Sequence, residues 1–172
     1  MGKYTNNLQN HVLEFHETFK HPVADKPTAL QLERGVSRSI WTGEELVELI
    51  HSMSSNESEF ADAFYNFVMG LFAAYHKSVK EEFPKTDEER IVSQIDAISD
   101  ALYFLFGTSV EIGVDVEKVF EIVQASNMSK LFTDEQGNKY VEYREDGKVL
   151  KSPEFFAPEE KIAEEIKRQI NQ

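Results

Sequence analysis

Glu44-Glu45-Leu46-Val47-Glu48 sets three carboxylates at i, i+1 and i+4, and a second acidic pair, Asp96 and Asp100, stands far downstream at i,i+4. Successive residues of a helix turn by about 100°, so the three glutamates fall within an arc of roughly 100°. Trp41 projects into the same arc, while Leu46, Val47, Leu49, Ile50 and Met53 take the rest of the circumference. Acids set between apolar flanks are an odd solvent face, although an EExxE in an acidic protein can also be nothing more than solvated charge. The downstream pair shifts the balance. Tyr103 continues the Asp96–Asp100 stripe, and Ile95, Ile98, Leu102, Leu105 and Phe106 pack on the other side of that helix. An acid stripe on one amphipathic helix therefore has a counterpart on another.

Outward from these two helices, the same period recurs. Leu8, Val12, Phe15 and Phe19 define a first helix that stops before His21-Pro22, because proline cannot continue it. A second helical segment is expected from Thr28, as its N-cap, through Leu30, Leu32, Val36 and Ile40 into the acidic cluster, with a bend or break at Thr42-Gly43. The third, about residues 57 to 80, spaces Phe60, Phe64, Phe67, Val68, Leu71, Phe72 and Tyr75 by three and four and reads as a core helix. Pro84 interrupts the pattern, and Thr86 caps a fourth helix over about 87 to 112. IGVD is a turn, and a fifth helix covers about 116 to 125. Beyond SNMSKLF the period changes to two: YVEYR and KVLK alternate like short strands, with Gly137-Asn138 and Asp146-Gly147 as turn signals. A charged helix over about 159 to 169 closes the chain. The expectation is an all-α bundle of four or more helices over 1–130, with 131–172 a hairpin or flap and terminal helix of the same folding unit.

With 172 residues and 41% hydrophobic content, one domain with a real core is expected. No apolar run approaches the roughly 20 residues needed to cross a bilayer, and MGKYTNNLQNHVLEF lacks the apolar block of a signal peptide, so the expected setting is cytoplasmic, away from membranes. Zero cysteines exclude disulfides, thiolate zinc and cysteine nucleophiles. Eighteen basic against 31 acidic residues, net −13, argue against a nucleic-acid partner, which calls for a clustered basic surface.

Facing carboxylates are costly without counter-charge, and neither stripe reads as carrying a lysine or arginine, so a divalent cation is the natural partner of Glu44, Glu45, Glu48, Asp96 and Asp100. An all-oxygen ligand set favours magnesium or manganese over zinc. Glu48-Leu49-Ile50-His51 also reads as ExxH, a di-iron ligand motif, but di-iron bundles use two such motifs. None of His11, His16, His21 or His76 has a glutamate three residues before it. His51 is then a helix-end surface residue, and His16 and His21 are structural.

EELVE on one helix, DAISDALYFLFG on a later one and the following SNMSK together resemble the all-α nucleoside triphosphate pyrophosphohydrolase superfamily, which includes MazG, dimeric dUTPases and phosphoribosyl-ATP pyrophosphohydrolase. The similarity is to MazG-like, dUTPase-like members, in which segments like FHETFKHPVADKPT, FLFGTSVEIGVD and GKVLKSPEFFAPE also recur. The resemblance implies that Glu44, Glu45 and Glu48, with an acidic pair on the later helix, hold magnesium that binds a triphosphate. The superfamily's second motif is ExxD; here Ala97 stands three before Asp100, so Asp100 carries over directly and Asp96 only by proximity. Asn127 and Lys130 resemble the asparagine and lysine that contact nucleotide phosphate or sugar, although Asn127 reads equally as a helix C-cap.

The function expected from this is magnesium-dependent hydrolysis of an NTP or dNTP, dUTP first, to the monophosphate and pyrophosphate. Glu45, at the edge of the arc, is the candidate general base and Lys130 the neutraliser of departing pyrophosphate, while Trp41 and Tyr103 either stack on the base and wall the pocket or, the reading favoured for each, pack within the fold. A non-catalytic helical interaction protein with at most a structural cation stays open, on the missing ExxD glutamate and on Gly43. The apolar girth of the third helix, together with the resemblance, points to a homodimer or dimer of dimers.

Overall fold

Four of the helices begin where a side chain satisfies one of their first free N–H groups, and two, after Gln31 and Pro158, begin without such a cap. In the computed structural model, which describes residues 3–145 and 148–172, Asn6 accepts from the Gln9 N–H and starts α1 (Asn7–Thr18). The helix ends with Lys20 at φ +52 and the His21 N–H bonded to the His16 carbonyl at 2.8 Å, which turns the chain ahead of Pro22 as a left-handed cap does. Asn56 caps α3 (Glu57–Ser78) through the Glu59 N–H. At the head of α4 (Asp87–Ile112) Thr86 and Glu89 exchange bonds: the Glu89 N–H donates to Thr86 Oγ1 at 3.1 Å, and the Thr86 N–H returns to Glu89 Oε2 at 3.1 Å. That is the reciprocal capping box expected from Thr-x-x-Glu. Asp115 caps α5 (Val116–Met128) after Gly113, whose φ of +78 makes the expected turn. The last helix is α6 (Glu159–Ile170).

Three expectations are corrected. Thr28 caps nothing: its hydroxyl donates to the Lys26 carbonyl, and α2 (Leu32–Met53) begins later, after Gln31. The cause is Gln94, whose side-chain amide accepts from the Leu30 N–H at 2.9 Å and donates to the Leu30 carbonyl at 3.0 Å, tying up the backbone that a longer helix would need. Thr42-Gly43 does not break α2, which runs through it without interruption, since one glycine costs only about 1 kcal/mol. Nor is α3 a core helix within one chain. Tyr65, Leu71, Phe72 and Tyr75 are all more than half exposed, and no residue of α3 is buried.

Internal contacts gather the chain into two compact units, Met1–Asp25 with Asp100–Gln172, and Lys26–Ser99. In the second, α2 packs on α3, with the His51 ring edge-on to Phe60 at 5.1 Å; His51 ends α2 as an exposed residue. In the first, α5 packs on both α1 and α6. Its core centres on Phe19, 1% exposed, and Leu131. Phe15 stacks on Phe19 at 4.3 Å, Gln124 of α5 reaches Glu14 of α1, and the Tyr143 hydroxyl donates to the Phe19 carbonyl. His16 bonds the Pro22 carbonyl through Nδ1 at 2.9 Å, a structural role as expected.

The appendage is slighter than its sequence suggests. β1 (Phe132–Thr133) pairs antiparallel with β2 (Lys139–Tyr140) around the turn at Gly137, φ +85. YVEYR and KVLK do approach each other, through a Tyr143–Val149 bridge, the Leu150 N–H to the Glu142 carbonyl and the Arg144 N–H to the Lys148 carbonyl. The Asp146-Gly147 turn lies outside the described residues. Among the described residues no single helix is long and apolar enough to cross a membrane.

Candidate active site

Glu44, Glu45 and Glu48 lie in the middle of α2 and all face solvent. Their i, i+1, i+4 spacing keeps them on one side of the helix. Among the described residues none of them, nor Asp96 or Asp100 on α4, enters an ion pair. The expectation that no arginine shares this stripe is corrected. Arg34 and Arg38 lie with their guanidinium carbons 5.2 and 5.8 Å from the Trp41 ring centre, and Arg38, Trp41, Glu45 and Glu48 follow one another at steps of three, four and three residues. One face of α2 therefore runs from two cations, across a half-exposed indole, to three anions. The signal was in the sequence, as arginines seven and three residues before the tryptophan.

Asp96 and Asp100 are exposed on α4. Tyr103 is 79% exposed and meets Phe104 edge-on at 6.5 Å, so it is not a packing residue within its own chain. Among the described residues, no group of three or more acidic or histidine side chains gathers closely enough to hold a metal ion. The chain presents the carboxylates as separate exposed groups.

Asn127 and Lys130 are brought together at the end of α5. Lys130 Nζ donates to Asn127 Oδ1 at 2.7 Å; the C-cap of the helix is Ser129, so the Asn127 side chain is engaged by the lysine and not in capping. Lys130 is half-buried. Burial first, and the charge of Lys151 second, hold its ammonium below the usual lysine range, since both disfavour the charged form. The Ser152 hydroxyl donates to the Ser129 carbonyl at 2.8 Å, and so the segment after the hairpin is laid against this helix end. Lys151 was not singled out in the sequence. Only the folded tail sets it beside Lys130.

An all-helical chain with an EExxE face, a second acidic helix and a lysine–asparagine pair at a helix end falls in the class of helical nucleotide pyrophosphohydrolases. Residues 12–127 match the family model for phosphoribosyl-ATP pyrophosphohydrolase. A crystal structure at 1.78 Å, described as "a putative NTP pyrophosphohydrolase" from Exiguobacterium sp. 255-15, is 45% identical, with a TM-score of 0.90 over 98% of each chain. No curated protein matches the chain significantly. The chain belongs to the phosphoribosyl-ATP pyrophosphohydrolase family, within the all-α superfamily that its motifs resemble. It is a hydrolase acting on pyrophosphate bonds of nucleotides, and the non-catalytic alternative is set aside.

Proposed function

We propose that the protein is a magnesium-dependent nucleoside triphosphate pyrophosphohydrolase that converts an NTP or dNTP and water to the nucleoside monophosphate and pyrophosphate, with dUTP the first substrate to test. The observation that carries this is the α2 face, on which Glu44, Glu45 and Glu48 stand exposed and outside any ion pair among the described residues. Carboxylate oxygens without cationic partners suit a hard divalent ion. Glu44, Glu45 and Glu48, with Asp96 and Asp100, stand as separate groups in the lone chain and would have to close on magnesium, or manganese in its place, to hold it; a bound ion would shield the triphosphate and acidify water.

The remaining roles fall to the chain itself. Glu45 takes the proton of the attacking water as its oxygen bonds the α-phosphorus and the bond to the α–β bridging oxygen breaks. Lys130 meets the charge that collects on the departing pyrophosphate, and Asn127 positions its ammonium. Trp41 and Tyr103 offer exposed aromatic surface to a base. The exposed apolar surface supports self-association as part of the same reading. The exposed aromatic face of α3 and the exposed Phe104 and Val110 of α4 are more apolar surface than a lone chain keeps in water, and a homodimer or dimer of dimers would cover it.

The test is pyrophosphate release from a panel of NTPs, dNTPs including dUTP, and phosphoribosyl-ATP, with magnesium or manganese. Turnover that requires the metal and falls in E48Q is expected. Absence of turnover on every member of the panel with either metal would sink the proposal.

A further inference from the structure

We propose that Lys151, carried on the tail segment 150–156, joins Lys130 in a two-cation site for the phosphate chain of the nucleotide at the C-terminal end of α5. The tail is fixed to α5 by three hydrogen bonds. Ser152 Oγ donates to the Ser129 carbonyl at 2.8 Å, and the Phe156 N–H donates to Ser129 Oγ at 3.2 Å. Ser126 Oγ donates to the Phe156 carbonyl at 2.8 Å, while Ser129 Oγ is itself oriented by donating to the Ser126 carbonyl at 2.7 Å within the helix end. Ser126 and Ser152 are both buried. Lys130 follows Ser129 and Lys151 precedes Ser152 in the chain, so the bond between the two serines sets the two lysines side by side.

That placement is unfavourable in itself. Two ammonium groups repel, and Lys151 feeds the loss of basicity at Lys130. In a chain with 31 acidic and 18 basic residues a carboxylate partner would be easily found, yet among the described residues neither lysine forms an ion pair. Lys151 Nζ lies 4.3 Å from the Phe155 ring centre, a cation–π contact that leaves N–H donors unspent. Asn127 uses one donor of Lys130. The anion that offsets two adjacent cations is one with charge on adjacent groups, as in pyrophosphate or the tail of a nucleoside triphosphate. This inference rests on the proposed function in its choice of ligand, and it gives the tail a task in binding.

Titration calorimetry with inorganic tripolyphosphate and with pyrophosphate, on the full chain and its K151Q and K151R variants, tests it apart from catalysis. K151Q is expected to weaken tripolyphosphate binding about tenfold, equivalent to ~1.4 kcal/mol, with an unchanged Tm, and K151R to recover most of the loss. Where a nucleotide is turned over, kcat/KM should fall by a similar factor. A K130Q/K151Q double variant should lose less than the sum of the single losses, because both lysines meet one anion. Wild-type tripolyphosphate affinity in K151Q would overturn the proposal even if nucleotides are hydrolysed. Loss of that affinity in K151Q with no nucleotide hydrolysed would refute the proposed function and leave the two-cation site standing.

Discussion

Replacing Ser152 with alanine should loosen the tail from α5 and show how firmly that contact is built. The residue is 6% exposed; its hydroxyl donates to the Ser129 carbonyl at 2.8 Å and accepts from the Glu154 N–H at 3.1 Å. Each such bond contributes about 1 kcal/mol net, and a partner left buried without one costs about 1–3 kcal/mol. Ser129 is only partly exposed, whereas Glu154 is exposed and its N–H can turn to water. The loss therefore comes mainly from the first bond, about 1.5–2.5 kcal/mol. For a chain of this length that is a fall in Tm of roughly 4–8 °C. Differential scanning calorimetry of S152A against wild type measures it, and S152T, which keeps the hydroxyl, should recover part of the loss. A Tm within about 1 °C of wild type would show that the tail is not fixed by this bond, and the juxtaposition of Lys130 and Lys151 would lose its support.

Other expectations follow from particular groups. The Arg168 fork on Glu165, with bonds of 2.7 and 2.6 Å, and the Gln169 amide hold the Glu165 carboxyl down at about 2, against 4.5 when free. A depressed carboxyl stabilises the fold above its unfolded pKa, so the stability gap between wild type and E165Q should be full at neutral pH, shrink as pH falls below 4.5 and close near 2; a gap independent of pH would refute the pairing. Because burial lowers the Lys130 pKa, nucleotide affinity should fall on the alkaline side before an ordinary lysine deprotonates, and K130R should move that limb upward; identical profiles would remove Lys130 from the site. Light scattering should give the mass of two or four chains, and F104E, at a residue 73% exposed in one chain, should shift it toward one. A monomer across a dilution series would contradict the proposed assembly.

Helix identity was legible wherever capping and period agreed. Thr86 with Glu89, and Pro22 after Phe19, marked helix ends that the structure keeps. Local signals failed where a distant residue intervened: Thr28 has the chemistry of a cap, but Gln94, 64 residues from Leu30, holds the backbone that a cap at Thr28 would have led into. The third helix was misread for a related reason. Its period identifies an apolar face, and period cannot say whether the covering surface lies in the same chain. At the site, the α2 carboxylates were legible because helical spacing alone sets their common face, and Asn127 with Lys130 because they are three residues apart. Lys151 was not, because its meeting with Lys130 depends on serine hydrogen bonds that bridge 23 residues.

The central claim is that the exposed carboxylates of α2 serve pyrophosphate-bond hydrolysis, and pyrophosphate release by E48Q beside wild type, with and without magnesium, tests it most directly. The account predicts metal-dependent release by wild type and a loss in E48Q of at least about 100-fold in kcat/KM, or ~2.7 kcal/mol of transition-state stabilisation, with the Tm held because Glu48 is exposed and has no ion-pair partner among the described residues. Equal release by E48Q and wild type, or release by wild type that is indifferent to chelation of the metal, would contradict it.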